Sequence, residues 1–187
     1  MISPASLEGG GLRVVFTRHA DRYAHAVFRA VTARRSASKA APADPSLAWA
    51  EGALLESIEG TPDDEWPASP ALKELHFEDR ADGRRLALLV GMAGKSHWSL
   101  SVELDAAASR LTFDVACRLR GAPERLGSRY RFSAAAAECF LPPLTIEPID
   151  GELGRLVTSV DGQLDIEPPA VAGLWPRTVR WRYAVRA

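Results

Sequence analysis

From residue 71 to residue 134, apolar and polar side chains alternate with period two in five segments separated by turn residues. A strand sends successive side chains to opposite faces, so this pattern points to half-buried antiparallel strands rather than helices. The segments, 72–79, 84–92, 96–104, 110–119 and 126–134, follow one another through short links, which describes a meander. Directly opposed residues of an antiparallel pair share one side of the sheet, so setting apolar against apolar selects each register. Val102 then opposes Phe113, Leu100 opposes Val115 and Trp98 opposes Cys117, around a loop of Ala106 to Ser109. A slip by one would set Leu100 against Asp114 and bury a carboxylate. The same matching pairs Val115 with Tyr130 and Phe113 with Phe132, which brings Arg131 beside Asp114. It pairs Phe77 with Leu86 and Leu75 with Leu88 around Asp82 and Gly83. Across GMAGKS it pairs Val90 with Trp98 and Leu86 with Val102, bringing Arg85 to Glu103.

The flanks are less regular. Residues 1–10 read as a loose lead-in and 12–18 as a strand. Segment 22–35 fits a strand in a hairpin turning at His19 to Asp21, with a short helix as the alternative. Residues 33–46 read as an exposed loop, and the prolines of 61–70 remove ladder donors and keep that stretch out of a sheet. Beyond 134 the chain is expected to supply a second layer. Asp161-Gly162 signals a two-residue hairpin turn that sets Val157 against Ile166 and Ser159 against Leu164. The last segment points Val179, Trp181, Tyr183 and Val185 inward and Arg180, Arg182 and Arg186 outward, as an edge strand whose arginines discourage edge-to-edge pairing. The expectation is one all-β, mostly antiparallel domain over 1–187, built as a β-sandwich because two apolar sheet faces most simply bury each other. A closed or partly open β-barrel is the alternative.

Composition removes several classes of function. A formal net charge of −1 gives no long-range field toward nucleic acid or an anionic membrane. No apolar run reaches the roughly 20 residues of a membrane helix. The start, MISPASLEGGGLRVVF, has neither the basic nor the apolar region of a signal peptide, so a cytoplasmic location is expected. Cys117 and Cys139 are expected as reduced thiols, with a disulfide between them as the alternative. In GMAGKS the glycine a phosphate-binding loop needs is replaced by Leu89, and the segment leads into a strand, so it reads as a hairpin turn. His19, His25, His76 and His97 fall in separate segments, and neither a metal nor a cofactor is expected.

The register gathers His97, Glu103, Asp114, Arg118, Arg129 and Arg131 on one face, around the small residues Ala87, Ser99, Ser101 and Ala116. Such a trough suits a sugar or a small anion, with the arginines donating, the carboxylates accepting and His97 doing either. It also fits a solvated face whose opposite charges pair across strands. Trp66 and Trp175 lie in loops, where an indole can stack on a ligand or plug the end of a sandwich core. The expected function is a non-catalytic module that binds a polar small molecule, carbohydrate foremost, or a protein partner through this face and these loops. One alternative is a structural or interaction domain without a ligand. The other is a sugar-active hydrolase or isomerase using Glu103, Asp114 and His97, since diagonal neighbours place carboxylates about 7 Å apart. A general acid also needs burial, which a face rich in arginine and solvent does not give.

Overall fold

The computed structural model describes residues 5–31, 48–49, 52–82, 84–132, 145–149, 155–158 and 163–186, and every regular element in it is a strand. In chain order these are β1 (Ala5–Gly9), β2 (Leu12–His19), β3 (Arg22–Val31), β4 (Ala48–Trp49), β5 (Leu55–Ser57), β6 (Glu74–Asp79) and β7 (Arg85–Ala93). There follow β8 (Ser96–Asp105), β9 (Arg110–Leu119), β10 (Ser128–Phe132), β11 (Thr145–Pro148), β12 (Arg155–Thr158), β13 (Gln163–Glu167) and β14 (Arg177–Arg186). One sheet runs β1-β2-β3-β5-β10-β13-β12, with β4 also paired to β3, and the other runs β11-β14-β9-β8-β7-β6. Both are antiparallel and open, so the fold is a β-sandwich and not a closed barrel. Among the described residues no helix is long and apolar enough to cross a membrane.

The inward faces meet in one core. Val14, Phe16, Val27, Leu55, Tyr130 and Ile166 come from the first sheet, and Leu89, Trp98, Val102, Phe113, Val115, Trp181 and Tyr183 from the second. Segment 22–31 is the expected strand of a hairpin with β2, and the alternative, a short helix, is not formed there. Between β8 and β9 the apolar matching holds throughout, with Val102 opposite Phe113, Leu100 opposite Val115 and Trp98 opposite Cys117. Cys117 is a free thiol, pushed up to about 12 by burial; Cys139 and the whole of 33–46 lie outside the described residues.

Three expectations are corrected. First, the neighbour of β9 is β14 and not segment 126–134. Tyr183 opposes Phe113 and Trp181 opposes Val115, while β10 crosses to the other sheet between β5 and β13. Both strands alternate arginine with aromatic residues, so either satisfies the pattern of β9. Ten paired residues along β14 exceed the five that β10 offers, and residues 120–127 form a long link rather than a tight turn. The terminal strand is therefore interior to the β6–β9 sheet, and the second layer is built from β1–β5 with β10, β12 and β13.

Second, β7 is turned by one residue. Ala87 opposes both Phe77 and Val102, and Leu89 opposes Leu75 and Leu100. The two-residue turn Gly94-Lys95 sets Ala93 against Ser96 and so dictates the pairing. Gly91 requires the same phase, because the chain at Ala71–Lys73 crosses its core side. A Cβ there would lie 1.9 Å from the Ala71 carbonyl oxygen. Gly91→Ala is expected to cost about 1–3 kcal/mol or more through overpacking, and an unchanged urea midpoint would contradict this placement. Third, Leu156 opposes Ile166 and Thr158 opposes Leu164, one residue away from the expected register; the link itself, 159–162, lies outside the described residues.

A chain of polar side chains runs through the core from one sheet to the other. His25 Nε2 meets the Tyr130 hydroxyl at 2.8 Å, and that hydroxyl bonds the Tyr183 hydroxyl. Ser128 bonds Tyr183 and accepts from Trp181 Nε1 at 3.2 Å. From the other side of His25, its backbone N–H donates to Ser57 Oγ at 2.8 Å, and Ser57 donates to Glu59 at 2.6 Å. Burial holds His25 down to about 4, so its ring is neutral near pH 7. Burial raises Glu59 to about 7, against the opposing effects of the Ser57 hydrogen bond and the Arg22 charge.

Candidate functional site

The outer face of the β6–β9 sheet keeps the polar character expected of it, with altered membership. One row across the strands reads Glu74, Val90, Ser99, Ala116 and Arg180; beside it stand Met92, His97, Arg118 and Thr178. Further along come His76, Leu88, Ser101, Asp114 and Arg182, then Glu78, Leu86, Glu103, Thr112 and Ala184. His97, Glu103, Asp114 and Arg118 therefore share a face as expected. Arg129 and Arg131 do not belong to it, because β10 carries them to the other sheet. There Arg129 grips Asp165 with bonds of 2.7 and 2.8 Å. The phase of β7 replaces the expected Ala87 by Leu86, Leu88, Val90 and Met92, so an aliphatic stripe borders the polar strands.

The two carboxylates of this face are engaged. Arg180 bonds both oxygens of Asp114, with Arg182 Nε a further 3.6 Å from Oδ2, and Arg84 bonds Glu103. An arginine does stand beside Asp114, but β14 supplies it. Both carboxylates are thus taken up as hydrogen-bond acceptors by arginines at the same face. Among the described residues no three His, Cys, Asp or Glu side chains come together to hold a metal ion.

Trp66 and Trp175 converge. They line a cleft of about 690 Å³ at one end of the sandwich, together with Glu65, Lys95, Arg120 and Glu124. Each indole is half-buried and packs against the core, so each closes the end of the sandwich and also forms a wall of the cleft. The Pro-rich segment that carries Trp66 is pinned to the sheets. Ser69 Oγ bonds both the N–H and the carbonyl of Arg129 at 3.0 Å, Asp64 accepts from the Thr61 N–H, and Arg22 bonds the Thr61 carbonyl at 2.7 Å. Lys95 enters from the Gly94-Lys95 turn, Arg120 follows the end of β9, and Trp175 precedes β14. No ion pair to a described residue engages Glu65, Lys95, Arg120 or Glu124, all four of which are exposed.

Compared with protein-family models, with curated proteins and with solved structures, the chain matches none. The site therefore rests on its own chemistry. Sequence reasoning picked out both tryptophans but not the four charged residues; the β8–β9 register brings Lys95 and Arg120 to the same end, and β14 lying beside β9 brings Trp175 there. A second depression of about 580 Å³ lies on the outer face near the same strand ends, between Val90 and Met92 on one side and Arg118 on the other.

Proposed function

We propose that this domain is a non-catalytic binding module that takes a carbohydrate in the end cleft. The observation that carries the reading is the pair of indoles, Trp66 and Trp175, facing one cleft with four charged groups that no described residue neutralises. Sugar rings offer an apolar face of C–H groups and a rim of hydroxyls, so they need an aromatic wall beside fixed donors and acceptors. Lys95 and Arg120 supply donors, and Glu65 and Glu124 supply acceptors. Two cations against two anions leave the cleft without a net charge, which favours a neutral polar ligand over a phosphate or a polycation. Scaffold rigidity supports the same reading, since the loop bearing Trp66 is tied down before any ligand arrives.

Calorimetric titration with a panel of neutral mono- and oligosaccharides tests this. At least one is expected to bind, and Trp175→Ala, Arg120→Ala and Glu124→Gln are each expected to weaken it ten-fold or more. Arg120 and Glu124 are exposed, so their variants keep the fold and separate lost binding from lost structure. Binding that survives all three substitutions would place the ligand elsewhere, and no binding at millimolar sugar would end the proposal.

A further inference from the structure

The second depression has a chemistry of its own. It crosses the strands on the outer face, with Ser99, Ala116 and Thr178 as its floor. Of the large apolar side chains left most exposed among the described residues, two stand here on the same face of one strand: Val90 at 48% and Met92 at 43%. At the other end Arg118 stands directly opposite His97. Arg118 is exposed and has no carboxylate partner among the described residues, whereas Arg84, Arg180 and Arg186 are held by Glu103, Asp114 and Glu147. Lys73 lines the rim and is already bound to Asp21 at 3.1 Å. The one carboxylate in the lining, Glu74, lies beyond Val90 at the far edge.

We propose that this depression binds a small amphipathic anion, a medium-chain carboxylate. The head sits at Arg118, whose guanidinium forks onto both oxygens while the His97 ring donates a further hydrogen bond. The tail lies over the small floor and against Val90 and Met92. Two strand spacings separate β9 from β7, so head and tail sites are about 10 Å apart. Glu74 sets the polarity of the arrangement, because a carboxylate head at that end would meet a like charge. A neutral alcohol would leave Arg118 unanswered, and a bare anion would leave Val90 and Met92 in water. The site shares no residue with the carbohydrate cleft, so either proposal stands if the other fails.

Nuclear magnetic resonance titration with octanoate, octanol and acetate as probes, followed at the Ser99, Ala116 and Thr178 amides, tests the assignment. Octanoate is expected to bind at least ten-fold more tightly than octanol or acetate, and its affinity is expected to fall with added salt. Arg118→Gln and Val90→Ser are each expected to weaken octanoate ten-fold or more without moving the melting temperature, since both side chains are exposed. Octanoate no tighter than acetate would reduce the site to a simple cation. Equal octanoate and octanol affinities would reduce it to an apolar patch. A neutral sugar displacing octanoate would make it part of the carbohydrate site. Any of these three results overturns the proposal.

Discussion

At pH 8 the Glu59→Gln variant is expected to be more stable than the natural sequence by on the order of 3 kcal/mol, and at pH 4 the two are expected to be equal. Glu59 is raised in the fold from about 4.5 to about 7, mainly by burial. Its contribution to stability is complete below the unfolded value and is lost as pH rises through 7, because only the unfolded chain ionises freely in that window. About 2.5 units at 1.36 kcal/mol each give the stated size. Glutamine keeps the shape and the bond from Ser57 and removes the ionisation. His25 acts in the opposite direction. It is lowered from 6.5 to about 4, so its contribution is complete above the unfolded value and is lost as pH falls toward 4. The two slopes oppose each other between pH 4.5 and 6.5, and the natural sequence is expected to change little in stability there. Glu59→Gln exposes the histidine slope, so its stability rises with pH across that range. Urea denaturation from pH 4 to 8 shows whether this is so; parallel curves for the two proteins would mean that Glu59 ionises in the fold as it does in water.

Trp181→Ala is expected to cost about 3–5 kcal/mol, a large share of the roughly 5–15 kcal/mol that holds a domain of this kind together. Trp181 is wholly buried, stands edge-on to Trp98 with ring centres 6.2 Å apart, and donates to Ser128. The size follows from the interior position of β14. An edge strand would leave the indole half in water, and its loss would cost much less. Tyr183→Phe separates packing from hydrogen bonding. It preserves the stack on Phe113, with centres 5.0 Å apart, but leaves the Tyr130 hydroxyl with one partner fewer, for about 1–3 kcal/mol. Denaturation midpoints of the two variants check both values, and a Trp181→Ala loss below 1 kcal/mol would return β14 to the edge.

These buried residues show where the sequence could be read and where it could not. Strands β8 and β9 carry large apolar residues on one face and Ser99, Ser101, Glu103 and Asp114 on the other, so only one register keeps carboxylates out of the core. Strand β7 has aliphatic residues on both faces, and matching by hydrophobicity leaves its phase open; the Gly94-Lys95 turn and the crossing at Gly91 decide it. The choice between β10 and β14 as neighbour of β9 was illegible for a related reason. Tyr130 flanked by Arg129 and Arg131 has the same pattern as Trp181 flanked by Arg180 and Arg182, and only the length of the ladder separates them. The site inherits both ambiguities. His97 and Arg118 come from the strands whose register was determined, so they stay together in the structure. Arg129 and Arg131 come from the strand that crosses over, so they leave. Lys95 and Arg120 extend the legible β8–β9 register and Glu124 follows Arg120 closely, but the arrival of Glu65 and of the two tryptophans is long-range, and no local pattern marks the cluster.

Indole N–H signals during a sugar titration test the central claim most directly. Trp66 and Trp175 form the walls of the proposed cleft, whereas Trp98 and Trp181 are sealed in the core. On addition of a binding sugar, the Trp66 and Trp175 indole resonances are expected to shift in a saturable way while those of Trp98 and Trp181 stay in place. Saturable binding that leaves the Trp66 and Trp175 resonances unmoved would contradict the end cleft as the ligand site.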